Sequence, residues 1–529
     1  MLNTPRARQG MVTSPHHLAS QAGLQVLRDG GTAAEAAVAV AAALAVVYPH
    51  MTGIGGDAFW IIHEPGRDPL AIDACGAAGA AVDLDFYRRQ GHAAIPWRGP
   101  LAANTVAGTI AGWEAALAVS AGWSTPLPLA RILRDAIDYA EDGIVVTASQ
   151  EELSRTKHAE LCDVPGFRDA FLPGGQAPAE GTVLKQPALA GTLRRLAAEG
   201  LDSFYRGPLA AAIAAGLAQA GSPVTADDLA RHRAHRVTPL TTRVGAAQLF
   251  NFPPPTQGLA SLMILALFDR LGVREAEGFD HIHGLVESTK QAFLVRDREV
   301  GDPAYMRKPA QEFLDPALLD ELAGRIDRRK ALPWPQPPSA GDTVWLGVID
   351  GQGRAVSLIQ SVYFEFGSGV VLPDTGITWQ NRGASFRLAE DGWNALKPGR
   401  KPFHTLNPAM ALFDDGRRMV YGTMGGEGQP QTQAAVFSRY ALFGQGLQAA
   451  VTAPRWLLGR TWGDQSVSLK LESRFDPALV QALREAGHDV ELLEPFTSTM
   501  GHAGAIVRRP DGVLEGATDP RSDGAALGW

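Results

Sequence analysis

The 529 residues are 45% hydrophobic and 20% charged, the proportions of a globular chain with a large core. A net charge of −8 argues against a nucleic-acid or anionic-membrane partner, and the two cysteines, Cys75 and Cys162, are too few for a disulfide framework. No charged segment followed by an apolar stretch and a small-residue cleavage site opens the sequence, so the expected location is the cytoplasm.

Along the first 330 residues, helical periodicity alternates with short strand signals. His17 to Arg28 reads as a helix. The apolar run Ala36 to Val47 is too short for a membrane span, which takes roughly 20 residues. Thr32 and Glu35, spaced as a capping box, and Pro49 beyond predict a buried helix there. Phe59 to Ile62 and Leu70 to Asp73 read as strands. Gly112 to Ala121, Ala130 to Asp142, Leu189 to Glu199 and His281 to Arg296 read as helices. Strands then gain weight at Thr343 to Asp350, Arg354 to Ser361, Ile377 to Gln380 and Met419 to Tyr421, before helices return at Leu447 to Ala453 and Pro477 to Ala486. The pattern is mixed α and β, without internal repeats.

A proline-rich run (Pro333, Pro335, Pro337, Pro338) leads into Asp342-Thr343 and a hairpin turning at Gly351-Gln352-Gly353. The residues alone allow two readings, a surface linker before an ordinary strand or an arm that is cut to expose Thr343. In the second, threonine supplies its own base, because a free α-amine with a pKa near ~8 can accept the hydroxyl proton. A three-residue loop makes the pairing symmetric about Gln352, so Thr343 faces Ser361, close enough to orient the hydroxyl. Ser361 as a plain strand serine is the equal alternative. Another register would break the pair.

Several motifs bear on this choice. Asp342-Thr-Val-Trp345, Gln360-Ser-Val-Tyr363, Phe366-Gly-Ser-Gly369 and Met424-Gly-Gly426 are joined by Tyr48-Pro-His-Met-Thr-Gly-Ile-Gly-Gly-Asp57, Pro253-Pro-Pro-Thr-Gln-Gly258, Gly301-Asp-Pro303 and Gly516-Ala-Thr-Asp-Pro-Arg-Ser522. In this order the set resembles the γ-glutamyltranspeptidase family of N-terminal-nucleophile hydrolases. The resemblance implies an α+β fold, a four-layer αββα sandwich. It also implies autocleavage between Asp342 and Thr343 into pieces 1–342 and 343–529, which together form one structural unit. Thr343 becomes the nucleophile, Ser361 orients it, and Gly425 and Gly426 hold the oxyanion. Adjacent glycines suit that role because no Cβ blocks their N–H groups. Without Thr343 they would read as a glycine-rich turn.

The chain departs from the family's γ-glutamyl enzymes where they grip the substrate. Ser385 stands where they carry an acid, Cys75 near where they carry an arginine, and His404-Thr405 in place of paired serines. Arg382 is the cation left in that segment, with a protonated His404 the only other, and guanidinium is the natural two-pronged partner of a carboxylate. An arginine in a loop is usually solvated; its place in the family's binding segment favours a pocket. Arg382, His404, Thr405 and Tyr363 are therefore assigned to the substrate. Asp374 to Gly383, Pro402 to Pro408 and Gly501 to Ala505 resemble members acting on small amides that carry their own carboxylate.

His16-His17 and His281-x-His283 lack zinc-site spacing, and Gly53-Ile-Gly-Gly56 lacks the lysine and βαβ setting of a nucleotide loop. No metal and no cofactor is expected. The expected partners are a small carboxyl-amide and the two pieces of the precursor, with pairing into a dimer of heterodimers open to them. The alternative activity is that of a γ-glutamyl or glutaryl acyl hydrolase or transferase.

Overall fold

A computed structural model describes residues 3–334, 342–459 and 466–529, with the backbone alone at Asp342. Pro335, Pro337 and Pro338 of the expected cleavage arm lie outside the described residues.

Two seven-stranded sheets face each other. The first runs in the order Ala525–Gly528, Gly10–Ser14, Asp342–Asp350, Ala355–Tyr363, Asp57–His63, Leu70–Ala74, His235–Val237. The second runs Arg6–Ala7, Leu514–Thr518, Ala503–Arg508, Arg418–Thr423, Ala409–Phe413, Ala247–Asn251, Leu240–Val244. Side chains alternate across a strand. Val344, Leu346 and Val348 therefore enter the core under the first sheet's helices, while Trp345 and Ile349 enter a core between the sheets with Phe59, Val420 and Ile506. Helices Gly258–Arg270, Phe279–Glu299 and Gln429–Phe437 cover the second sheet around another core. This is the expected αββα sandwich of the α+β class.

Local chemistry explains the central helix, Ala33–Val47, every residue of which is buried. Thr32 and Glu35 form the anticipated capping box, with N–H···O distances of 2.7 and 3.2 Å. Almost all its side chains are Ala or Val, so it fits closely beneath the first sheet. The helix expected from Gly112 begins at Thr109, because Gly56 O accepts both the Gly108 and Thr109 N–H groups, at 2.8 and 2.9 Å. The strand expected to end at Tyr421 continues to Thr423, in register with Ala503. Among the described residues no helix is long and apolar enough to cross a membrane.

Candidate active site

The hairpin places Thr343, the candidate nucleophile. Its ladder is symmetric about Gln352 from Ile349↔Ala355 to Val344↔Gln360, the register of a three-residue loop. It then shifts, so that Asp342 pairs with Tyr363 and the irregularity falls where Thr343 meets Ser361 and Val362. Thr343 thus faces two residues of the returning strand, Ser361 and Val362, so the extra residue of the bulge lies on that strand, and bulges re-aim side chains. The bulge ends at Tyr363, whose φ of +86° is rare for a bulky side chain and costs on the order of 1–3 kcal/mol. Ser361 Oγ accepts the Tyr363 N–H at 2.8 Å, a bond that spans the bulge. Thr343 and Ser361 are both buried.

The second sheet brings the paired glycines alongside. Trp345, two residues beyond Thr343, lies against the backbone of Gly422; a Cβ there would come within 2.2 Å of its ring. Only glycine permits this approach, and three residues later comes the turn Gly425-Gly426. Gly425 has φ +118° and is half-buried, while Gly426 behind it is fully buried. Neither N–H is spent on another group among the described residues. Gln257 braces the turn, donating to Gly426 O at 2.8 Å and to Thr405 O at 2.9 Å while accepting from Arg296 at 2.9 Å.

Arg382 is not a solvated loop residue: it is fully buried at the start of a short 3₁₀ turn, Arg382–Ser385. That turn is tied to the hairpin, since Asn381 N–H donates to Val362 O at 3.2 Å and Phe364 N–H donates to Asn381 Oδ1 at 3.1 Å. The guanidinium lies 3.8 Å from the centre of the Tyr363 ring. It donates to Phe403 O through Nε, at 2.9 Å, and through one terminal nitrogen, and reaches Thr405 Oγ1 through the other at 3.3 Å. It forms no ion pair with a carboxylate among the described residues, and burial lowers its pKa. Arg382, Tyr363 and Thr405 are therefore assembled together. The Tyr363 hydroxyl is buried without a partner among the described residues.

His404 joins them, but not as a cation. Burial and the Arg382 charge hold its pKa well below the ordinary value, so the ring is neutral. Its Nε2 lies 3.2 Å from Asp57 Oδ2, its ring packs edge-on to Phe59 at 4.7 Å, and Nδ1 is buried without a partner among the described residues. Asp57 Oδ1 accepts the Gly76 and Gly108 N–H groups at 2.8 and 3.2 Å. Cys75 is buried beside them, and a pocket of about 370 Å³ reaches it from the surface, past Lys401, Arg231, His232, Arg233 and His235. Lys401 pairs with Asp73 at 2.7 Å.

Asp57, Cys75 and His404 offer ligand atoms within 4.8 Å of one another, as do His283, Glu287 and His488. Each group already has a cation beside it: Arg382 acts on the first, and Lys290 lies 2.7 Å from Glu287 in the second. A metal ion would have to bind against that charge. His281 and His283 are buried core histidines bonded to Ser438, His488 and Asp327 O, and His16 caps the helix His17–Arg28.

Two residues had no role in the sequence reading. Gln257 stood in the Pro253–Gly258 motif without assigned chemistry, and Asp57 closed the Tyr48 motif as a terminal letter. A charged residue directly after Gly55-Gly56 was the available signal. Those glycines lie so close to Thr378 O and Ser361 O that a Cβ would come within 2.3 and 2.0 Å, which presses the following residue into the site.

The gamma-glutamyltranspeptidase family profile matches residues 19–529. The chain is 58% identical over 521 residues to an oxamate amidohydrolase proenzyme of Klebsiella pneumoniae subsp. pneumoniae, with 98% of each covered. It is 42% identical over 521 residues to the glutathione hydrolase-like YwrD proenzyme of Bacillus subtilis, again with 98% of each covered. Among solved structures, a cephalosporin acylase from Bacillus halodurans matches with a TM-score of 0.92 and 33% identity, covering 100% of this chain and 97% of that one.

Proposed function

Because the chain belongs to the gamma-glutamyltranspeptidase family, we propose that it is a self-processing amide hydrolase that converts oxamate to oxalate and ammonia. One observation carries the substrate class: Arg382 is a fully buried cation without a carboxylate partner among the described residues. A buried charge is costly until it is paired. A substrate bearing a carboxylate next to its amide supplies the missing anion and brings the amide carbon toward Thr343. Tyr363 and Thr405 line the same place, and neutral His404 contributes hydrogen bonding instead of charge.

In the precursor, Thr343 Oγ attacks the Asp342 carbonyl carbon and the peptide shifts to an ester. Water then hydrolyses it, leaving 529 − 342 = 187 residues in the small subunit and a free α-amine on Thr343. In turnover, Thr343 Oγ attacks the oxamate amide carbon as the α-amine takes its proton. The Gly425 and Gly426 N–H groups hold the oxyanion, and removing one such donor costs roughly 3 kcal/mol in other enzymes. The proton passes to the leaving nitrogen, ammonia departs, and water releases oxalate from the acyl ester. Ser361 orients the nucleophile. The enzyme works in the cytoplasm, where the ammonia recovers nitrogen from purine breakdown, and the heterodimer pairs into a dimer of heterodimers.

The fold match to a cephalosporin acylase makes a glutaryl-type acyl hydrolase the second reading. A γ-glutamyl transferase is disfavoured, because Ser385 offers a hydroxyl, 3.4 Å from Phe403 O, where a substrate amine would need an acid. Ammonia release from oxamate, glutaramate and γ-glutamyl amides decides among the three. The proposal requires oxamate to lead in kcat/KM; equal or better turnover of the longer substrates overturns it.

A further inference from the structure

Asp57 lies on the same row of the first sheet as the nucleophile. Its Cα partner across the ladder is Ser361, and the strand bearing Thr343 is next beyond. Adjacent strands lie about 5 Å apart, so Asp57 stands roughly 10 Å from Thr343, two strand spacings away. It is fully buried, and no lysine or arginine forms an ion pair with it among the described residues. Its contacts include the Gly76 and Gly108 N–H groups on Oδ1, His404 Nε2 on Oδ2 and the Gln380 side chain.

We propose that Asp57 is a proton-coupled specificity residue: it takes up a proton as a carboxylate ligand docks beside Arg382, so that anion and proton bind together. The inference rests on the oxamate reading and adds how the site tolerates a second negative charge. With Asp57 ionised, its carboxylate already lies in the field of Arg382, and an arriving anion meets repulsion in a buried setting. With Asp57 protonated, the repulsion is gone.

The proton also changes His404. A neutral imidazole has one N–H. An ionised Asp57 draws that N–H to Nε2 and leaves Nδ1 an acceptor. A protonated Asp57 donates to Nε2 instead, so Nδ1 carries the hydrogen and becomes a donor suited to an anion.

The surroundings assign the proton to Asp57. Burial pushes its carboxyl up to about 7, against the Gly76 and Gly108 N–H groups, Gln380 and the Arg382 charge. Burial raises the pKa of Cys75 well above the ordinary value and pushes Tyr205 upward as well, so both stay protonated. His404 stays neutral. The α-amine that cleavage frees on Thr343, with an ordinary pKa near ~8, is kept in Asp57→Asn, so that variant separates its proton from that of Asp57. Lys401 is paired with Asp73 beyond Cys75, and Glu427 with Arg296 beyond Arg382, at 3.2 Å. The sign follows: below about 7 Asp57 already holds its proton and anion affinity is flat. Above it each bound anion must bring a proton, and Kd rises towards tenfold per pH unit.

The test is calorimetric titration of oxalate into the cleaved enzyme, in phosphate and in Tris, whose different ionisation heats count the protons exchanged. The expected result is close to one proton taken up at about pH 8 and almost none at about pH 6. Asp57→Asn, a neutral isostere of the protonated acid, should bind oxalate without proton uptake and with Kd constant within about twofold over that range. Absence of uptake in the wild type, or equal uptake in Asp57→Asn, overturns the proposal. The wild-type proton count stands alone if the variant fails to fold. Oxamate hydrolysis without proton uptake would remove this inference and leave the function intact, whereas neither turnover of oxamate nor binding of oxalate would remove both.

Discussion

Around Thr343 the chain meets itself within one hairpin, and main-chain pairing does most of the placing. The strand Asp342–Asp350, a three-residue turn and the returning strand Ala355–Tyr363 set Thr343, the bulge and Ser361. Around Arg382 the construction is opposite: Asp57, Gln257, Arg382 and His404 arrive from separate segments and are held by side-chain hydrogen bonds in a buried, charged cluster. The first region is built to place an atom and the second to balance charge. Substitutions at the nucleophile end should therefore act on chemistry, and those at the carboxylate end on affinity and its pH dependence.

The largest expected effect tests the first half of that contrast. Thr343→Ala removes the attacking oxygen, so the protein should stay one chain and release no ammonia from oxamate, a loss on the order of 10⁴-fold or more. Thr343→Ser should still cleave, more slowly. Normal processing of the alanine variant, followed by gel and mass analysis, would dissolve the distinction between the two ends.

Next in size is Arg382→Met. It should self-cleave but lose at least about tenfold in kcat/KM for oxamate, chiefly through KM, since a charge-assisted hydrogen bond contributes roughly 1.5–3 kcal/mol. Lysine should restore only part, because it cannot grip Phe403 O with two nitrogens while a third reaches Thr405. Parent-like kinetics with methionine would mean that the buried cation serves packing alone, and the glutaryl reading would move ahead.

The smallest effect is expected at Ser361. Ser361→Ala leaves the Tyr363 N–H without its acceptor and loosens the bulge, a loss of ~1 kcal/mol. Maturation and kcat should slow about three- to tenfold with KM unchanged. A change confined to KM would reassign Ser361 to the substrate side.

What the sequence revealed follows the same division. The turn at Gly351–Gly353, the hairpin register as far as Val344 and the Thr32–Glu35 capping box depend on neighbours in the chain, and all were legible. The bulge at Ser361-Val362 was not, because it comes with a positive φ at Tyr363, of which a tyrosine gives no warning. Resemblance to the family pointed to Arg382, His404 and Thr405, but whether Arg382 was solvated or buried depended on a turn packed against the hairpin. His404 was read as a possible cation, and only the packing around it and the contact with Asp57, 347 positions away, fix it as neutral. Long-range side-chain pairing leaves no periodic trace, so Asp57 and Gln257 went without a role.

The most direct test is the mass and N-terminal residue of the purified protein's smaller fragment, measured alongside ammonia release from oxamate. The expected result is a 187-residue fragment beginning at Thr343, with activity appearing in step with its formation. An intact chain that hydrolyses oxamate, or a fragment beginning at another residue with full activity, would contradict it.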